Sequence, residues 1–384
     1  MTPPRRQRTA AVALPEHRHL VRDPLGIDRS TRDSPDAYVL DVREAKLLLR
    51  STSRIDAPIF IANGAVTGFV DLENDDRRPI EQVLDWLPDL AEQHNLSDKE
   101  APRASVAASK QVTVSEIKER FINQQQHRPF PWNFPEIPFP MPAPDRPDFL
   151  RHPSCNLLND LIRYVQDVNI EQICPATCKS HGVTADRCPT HFQTADEIVE
   201  FRRAAQHWHG TIMMAEAGAY TGPHHDTPGF GTFISCYEGE IGFACQTTAP
   251  NQRSKACCKT QSSDKWFYRV LRPGDAVYMG PGTKHLVFRQ PYGKQTLATA
   301  VRVLRYCDVV RWLQTLNDEF DSEDDDPVYF SRVVRALVMG IRHYIDQAQA
   351  QNALEKFGGS RNVNEAERLL CVIDRKLHKL WKAL

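Results

Sequence analysis

No apolar run in the 384 residues approaches the roughly 18 that a membrane-spanning helix requires, so no span is predicted. Net charge is nearly lacking as well. The 48 Lys+Arg stand against 49 Asp+Glu, a formal charge of -1, which removes the global basic field that charge-driven nucleic-acid binding needs. P-loop, dinucleotide and nucleophile-elbow patterns are absent, and no internal repeat points to a solenoid or propeller. Ten cysteines are sparse for this length and unevenly spaced, and no apolar signal segment precedes them. A disulfide framework is therefore not expected, and the composition predicts a reducing intracellular compartment, cytoplasmic or nuclear.

The residues that are present divide the chain. Residues 1–37, with five Arg and one Glu before position 23, read as a disordered basic arm. Ala45–Leu49 has helical spacing, and the run Pro58-Ile59-Phe60-Ile61 then stops at Asn63-Gly64, predicting helix, strand and turn. Helical periodicity returns over 78–96 and over 113–125, the latter with Ser115 as the expected cap, and the small polar residues of 97–112 predict a loop between them. Eight prolines between Pro129 and Pro147 exclude a regular helix or an interior strand. With Trp132, Phe134 and Phe139 as anchors, that stretch is expected to lie extended over a core. Residues 149–203 read as helices and loops, so 38–207 as a whole is predicted to be a helical and extended region wrapping a core built from later residues.

From 208 to 305 the texture changes to short apolar or alternating runs cut by Gly and Pro, among them GTFISCYEGEIGFACQ, KWFYRVLRPGDAVYMGPGTKHLVF and TLATAVRVL. This predicts an antiparallel β core, a double-sheet jelly roll. Residues 306–384 return to helical stripes at Val309/Trp312/Leu313, Val333/Leu337/Ile341 and Leu369/Leu370/Ile373/Leu377/Leu380, which are expected to pack on the core or on a second subunit as a homodimer. The fold class is thus mainly β with helical additions at both ends.

Within the β block, GAYTGPHHDTPGFGT supplies His224-x-Asp226, two side chains at i and i+2 that point the same way on an extended segment, while His225 points elsewhere. His285 comes 59 residues past Asp226, after the strand AVYM and its flanking Gly/Pro turns. With 14 histidines and 49 acidic residues, chance alone supplies roughly two His-x-acid triplets, so the spacing of the whole segment, not the triplet, carries the reading. Two imidazoles and one carboxylate leave three adjacent coordination positions open, which suits Fe(II) holding a bidentate cosubstrate together with dioxygen.

GAYTGPHHDTPGFGTFISCYEGEIGF and RPGDAVYMGPGTKHLV resemble the two metal-binding segments of JmjC-domain, cupin-type Fe(II)/2-oxoglutarate oxygenases, and Pro58–Ile61 resembles the strand that opens such domains. The resemblance covers roughly 40–305. It implies a double-stranded β-helix with His224, Asp226 and His285 as iron ligands, and oxidation of 2-oxoglutarate to succinate coupled to hydroxylation, or demethylation through hydroxylation, of a protein side chain or small molecule. It also implies a lysine where this chain has Ile241, two residues past Gly239, to pair with the far carboxylate of 2-oxoglutarate. An apolar side chain cannot balance a buried carboxylate. Lys294 and Arg302, on or beside the next strand, are the replacements considered, and Thr221, with Tyr220 as companion, matches a hydroxyl that assists the cosubstrate. Two alternatives stay open: a cupin-fold metal-binding protein without 2-oxoglutarate turnover, and a cupin oxygenase independent of 2-oxoglutarate.

Three further clusters have plainer readings. Cys174, Cys178, Cys188 and His191, with His181 between, carry zinc-type ligands at no standard spacing. Cys257-Cys258 fall in a polar loop, and the acidic run 321–326 lacks the Gly and terminal Glu of a Ca²⁺ loop. His207-Trp208-His209, a second pair of histidines two apart, is read as structural.

Overall fold

The computed structural model describes residues 37–55, 57–62, 76–87, 94–97, 109–122, 131–139, 150–167, 201, 204–205, 208–247, 265–321 and 327–383. Two β-sheets form the centre of the fold. Strands β1 (Tyr38–Leu40), β2 (Ile59–Ile61), β5 (Asn133–Pro138), β6 (Thr211–Ala215), β8 (Gly231–Glu238), β11 (Ala276–Met279) and β13 (Thr296–Val303) form a seven-stranded sheet in the order β1-β2-β11-β8-β13-β6-β5. Strands β7 (Tyr220–His224), β9 (Ile241–Thr247), β10 (Lys265–Leu271) and β12 (His285–Phe288) form a second sheet in the order β10-β9-β12-β7. Among the described residues no ladder joins the two sheets. They meet through one apolar layer, to which Met213, Ile234, Cys236, Val277, Ala298 and Ala300 come from the larger sheet and Ile241, Phe243, Cys245, Leu271 and Val287 from the smaller.

The larger sheet is covered on its other face too. Helices α2 (Pro79–Trp86) and α3 (Val114–Ile122) lay Ile80, Val83, Leu84, Ile117 and Phe121 against Ile212, Met214 and Leu297. Burial on both faces explains why β13 reads as a nearly continuous apolar run instead of an alternating one: all eight of its residues are buried. The proline-rich segment sits where its chemistry permits. β5 is the edge of the sheet, its register shifts between Phe134 and Ile137, across Pro135, and Phe134 and Phe139 are buried anchors.

Two local expectations are corrected. The loop expected over 97–112 gives way at its ends to an antiparallel hairpin, β3 (His94–Ser97) with β4 (Ser109–Val112), because main-chain pairing needs no apolar side chains to signal it. The cap of α3 is Thr113, not Ser115: the Thr113 hydroxyl accepts from the Glu116 amide at 3.2 Å while the Glu116 carboxylate accepts from the Thr113 amide at 2.7 Å. The same reciprocal device starts α1 (Val42–Arg50), between Asp41 and Glu44.

Helices α4 (Leu157–Asp167), α5 (Val309–Glu319), α6 (Pro327–Ala350) and α7 (Ser360–Ala383) build a separate apolar cluster that includes Leu161, Trp312, Leu316, Leu337, Ile341, Leu370 and Ile373. The C-terminal stripes, as far as Leu377, are therefore buried within the chain. Trp208 and Phe230 join this cluster, and Trp312 stacks on Phe230 at 5.8 Å between ring centres. That contact ties the helical layer to the loop between β7 and β8. No described helix is long and apolar enough to cross a membrane. The basic arm apart from Ala37, the turn at Asn63-Gly64, the Cys174/Cys178/Cys188/His191 group with His181, Cys257-Cys258, His207 and residues 322–326 lie outside the described residues.

Candidate metal centre

The ladder between β12 and β7 puts His285 directly opposite His224. A bulge comes next: Val287 pairs with Thr221, so Gly222 and Pro223 occupy the space opposite a single residue of β12. In a regular strand residues three apart face opposite sides; the bulge restores parity, and Thr221 and His224 both face the space between the sheets. Asp226 lies on the loop that leaves β7. Ligand atoms of His224, Asp226 and His285 all lie within 4.8 Å of one another.

Protonation is set locally. His224 Nδ1 is 2.7 Å from the carbonyl of Gly222, and His285 Nδ1 is 3.0 Å from that of Thr283. A carbonyl only accepts, so each Nδ1 carries the proton and each Nε2 keeps a lone pair for a metal. Burial pushes the His285 imidazole down to about 4, with Asp226 pulling the other way, and Phe243 stacks on it at 5.1 Å. Asp226 is divided between two duties. Its Oδ2 accepts from the Thr232 hydroxyl and from Arg302 Nη1 at 2.6 Å, while Oδ1 lies 3.9 Å from His224 Nε2. Burial alone would raise this carboxyl; the Arg302 guanidinium, backed by His285, His224 and Thr232, holds it well below the usual carboxylate range. The site therefore presents the Nε2 edges of two imidazoles and a carboxylate with one oxygen already oriented. That donor set fits a divalent metal that prefers nitrogen and oxygen ligands, with open positions for other ligands.

Helix α5 backs both ligand-bearing loops. Trp312 Nε1 donates to the Pro228 carbonyl at 2.8 Å, and Arg311 donates to Thr283 Oγ1 at 3.1 Å and to the Ile55 carbonyl at 2.9 Å. Thr315 packs so tightly against the two loops that a Cβ on Gly229 would stand 2.8 Å, and one on Gly282 2.2 Å, from its side chain. Both glycines also have positive φ, 64° in each case, so the close approach and the turn call for the same residue. His225, turned outward between the ligands, lies 2.9 Å from Glu319 on this helix.

No family model matches this chain, and no curated protein matches it. Solved structures similar in part include Drosophila melanogaster CENP-C bound to CAL1, at 14% identity and TM-score 0.18 over 24% of this chain and 62% of that one. They also include the Drosophila melanogaster CENP-C cupin domain, at 15% identity and TM-score 0.19 over 24% of this chain and 59% of that one. The likeness thus spans about three fifths of each of those chains, at TM-scores that carry no weight for function.

The remaining expected residues separate. Thr221 faces the site side, and its hydroxyl accepts from Asn133 Nδ2 at 2.9 Å, leaving the hydroxyl proton to donate elsewhere. Tyr220 turns to the opposite face, packing with Ala244, Trp266 and Leu286. Lys294 is exposed in the turn between β12 and β13, not on β13. Arg302 is on β13 and at the metal site, but its guanidinium is engaged by Asp226 and Glu136. Ile241 is buried in the apolar layer. Sequence reading missed Thr232, Asn133 and Arg289 on the inner faces. For Arg289 a signal existed: it stands at i+4 from His285, on the same face if the strand runs on.

Proposed function

We propose that this chain is a JmjC-like Fe(II)- and 2-oxoglutarate-dependent dioxygenase, its two facing sheets forming a double-stranded β-helix of the cupin type. One observation carries the reading: His224, Asp226 and His285 converge with both imidazole Nδ1 atoms held by backbone carbonyls, which leaves the Nε2 edges for a metal, and with Asp226 held as a carboxylate by Arg302 and Thr232. Iron and 2-oxoglutarate, when bound, supply the chemistry that turns 2-oxoglutarate and dioxygen into succinate and carbon dioxide while one oxygen atom enters a C–H bond of the substrate.

The chain's own residues hold and orient. His224, Asp226 and His285 would bind the metal; Arg302 keeps the unused Asp226 oxygen from swinging away; Thr221, with Asn133 as its donor, offers a hydroxyl proton to an anionic ligand oxygen. Phe243 and Val287 exclude water from the inner side of His285. His224 is 39% exposed, so the site opens to solvent at that imidazole, where a protein side chain or a small molecule can approach. Purified protein with Fe(II) and 2-oxoglutarate should form succinate above the level of a His224→Ala control; equal amounts from both would defeat the proposal.

A second reading, a metal-binding cupin without turnover, draws on Ile241. Calorimetry separates the two: metal binding that is lost in His285→Ala but brings no 2-oxoglutarate uptake in the wild type would favour the second.

A further inference from the structure

Three arginines project between the sheets. Arg302 is matched by Asp226 and Glu136. Arg269 lies over the Phe60 ring at 5.7 Å, with Asp275 as its acid. Arg289 differs from both. It is 4% exposed, its Nε donates to Thr296 Oγ1 at 2.9 Å, and its Nη1 is buried with no hydrogen-bond partner among the described residues. The titratable group acting on it is the Cys236 thiol, which burial pushes up to about 12 and so leaves uncharged. Burial in turn pushes the Arg289 guanidinium down to about 10, still cationic at neutral pH. A buried cation without an anion is destabilising, and a methionine of similar length would remove the cost. Its presence points to an anion that arrives from outside the chain.

Register says where that anion would lie. On β12 the residues facing inward are His285 and Val287, and Arg289 continues the alternation, its amide donating to the Ala219 carbonyl at 2.9 Å. The β12–β9 ladder pairs Val287 with Phe243 and Phe288 with Gly242, so the next pair sets Arg289 opposite Ile241. Residues so paired hold their Cβ atoms about 5 Å apart. The positive charge missing at 241 thus reappears one strand to the side, in the same layer. Along β12, Arg289 is four residues from the ligand His285, about 13 Å between Cα atoms.

We propose that Arg289, steadied by Thr296, receives the far carboxylate of a dicarboxylate whose near end lies at the His224/Asp226/His285 centre; this rests on the 2-oxoglutarate reading and names the residue that completes it. Calorimetry on the full chain loaded with Mn(II) tests it without turnover, comparing 2-oxoglutarate with 2-oxobutanoate, which lacks the far carboxylate. Wild type should prefer 2-oxoglutarate at least 30-fold. Arg289→Met should lose that preference while binding Mn(II) as wild type does, Arg289→Lys should keep part of it, and Ile241→Lys added to Arg289→Met should restore it from the neighbouring strand. An Arg289→Met protein that binds 2-oxoglutarate within threefold of wild type would overturn the assignment and leave the proposed activity standing. A Mn(II)-loaded wild type that takes up no 2-oxoglutarate would overturn both, and because it is read on the unmutated chain the two failures are distinguishable.

Discussion

Replacing Arg302 with methionine separates the metal's support from the metal itself. In the folded chain Arg302 Nη1 sits 2.6 Å from Asp226 Oδ2, with both side chains about one-tenth exposed, so the pair is largely shielded from solvent. Glu136, the second partner, has a side chain 47% exposed and can return to water. The loss therefore falls on Asp226, left with the Thr232 hydroxyl alone. Removing one member of a buried pair costs about 3–5 kcal/mol, the remaining exposure favouring the lower figure. At roughly 2 °C per kcal/mol for a large chain, the metal-free Tm should fall by about 6–10 °C. With Mn(II) present the drop should be larger still, because a variant that binds the metal more weakly gains less stability from it. Mn(II) affinity itself should weaken about 10–100-fold, because one Asp226 oxygen is no longer oriented. Differential scanning fluorimetry with and without Mn(II), on Arg302→Met, Asp226→Asn and the double variant, reads all of this. A Tm loss of about 2 °C or less in metal-free Arg302→Met would refute the reasoning. So would a double variant whose loss equals the sum of the singles, since coupled charges must be non-additive.

Neighbouring geometry sets the other expected outcomes. Trp312→Ala empties a fully buried position and removes the bond to the Pro228 carbonyl, so it should destabilise by about 3–5 kcal/mol in denaturant unfolding and lower Mn(II) affinity together with stability. Gly282→Ala, at φ 64° and with its new Cβ 2.2 Å from Thr315 Oγ1, should lower both Tm and metal affinity, and trimming Thr315 to Ala in the same chain should recover part of the loss. His225→Ala should keep Mn(II) affinity within threefold of wild type, whereas His224→Ala and His285→Ala should abolish binding by calorimetry. Thr113→Ala removes a solvent-exposed cap and should cost about 1 kcal/mol without touching metal binding.

Much of the site was legible along the chain because its signals are local. The i, i+2 pairing of His224 and Asp226, the Gly/Pro turns around AVYM and the apolar run of β13 each depend on residues within a few positions of one another. Thr221 was legible as a residue type, but its direction was not: three residues before His224 it would face away in an unbroken strand, and only the bulge at Gly222-Pro223 turns it inward. Thr113 was hidden as a cap because Ser115 offered the same chemistry two positions later. Linear order points forward past His285 for a cation, to Lys294 before β13 and Arg302 on it, since nothing in it shows that Arg289 is buried at the end of β12 with Thr296 as its partner.

The sequence by itself determined that the chain is mainly β with helical ends, that it has no long apolar helix, and which three side chains are candidates to hold a metal. Those conclusions need only periodicity, turn chemistry and residue type. Tertiary structure decided the rest. Cross-strand register put His285 against His224 and Thr221 against Val287, the closeness of β13 to the β7 loop gave Arg302 to Asp226, and the docking of α5 locked both ligand loops. Each of these contacts joins residues far apart in the chain. Their pairing is set by ladder register and by packing of buried surface, neither of which a single segment of sequence encodes.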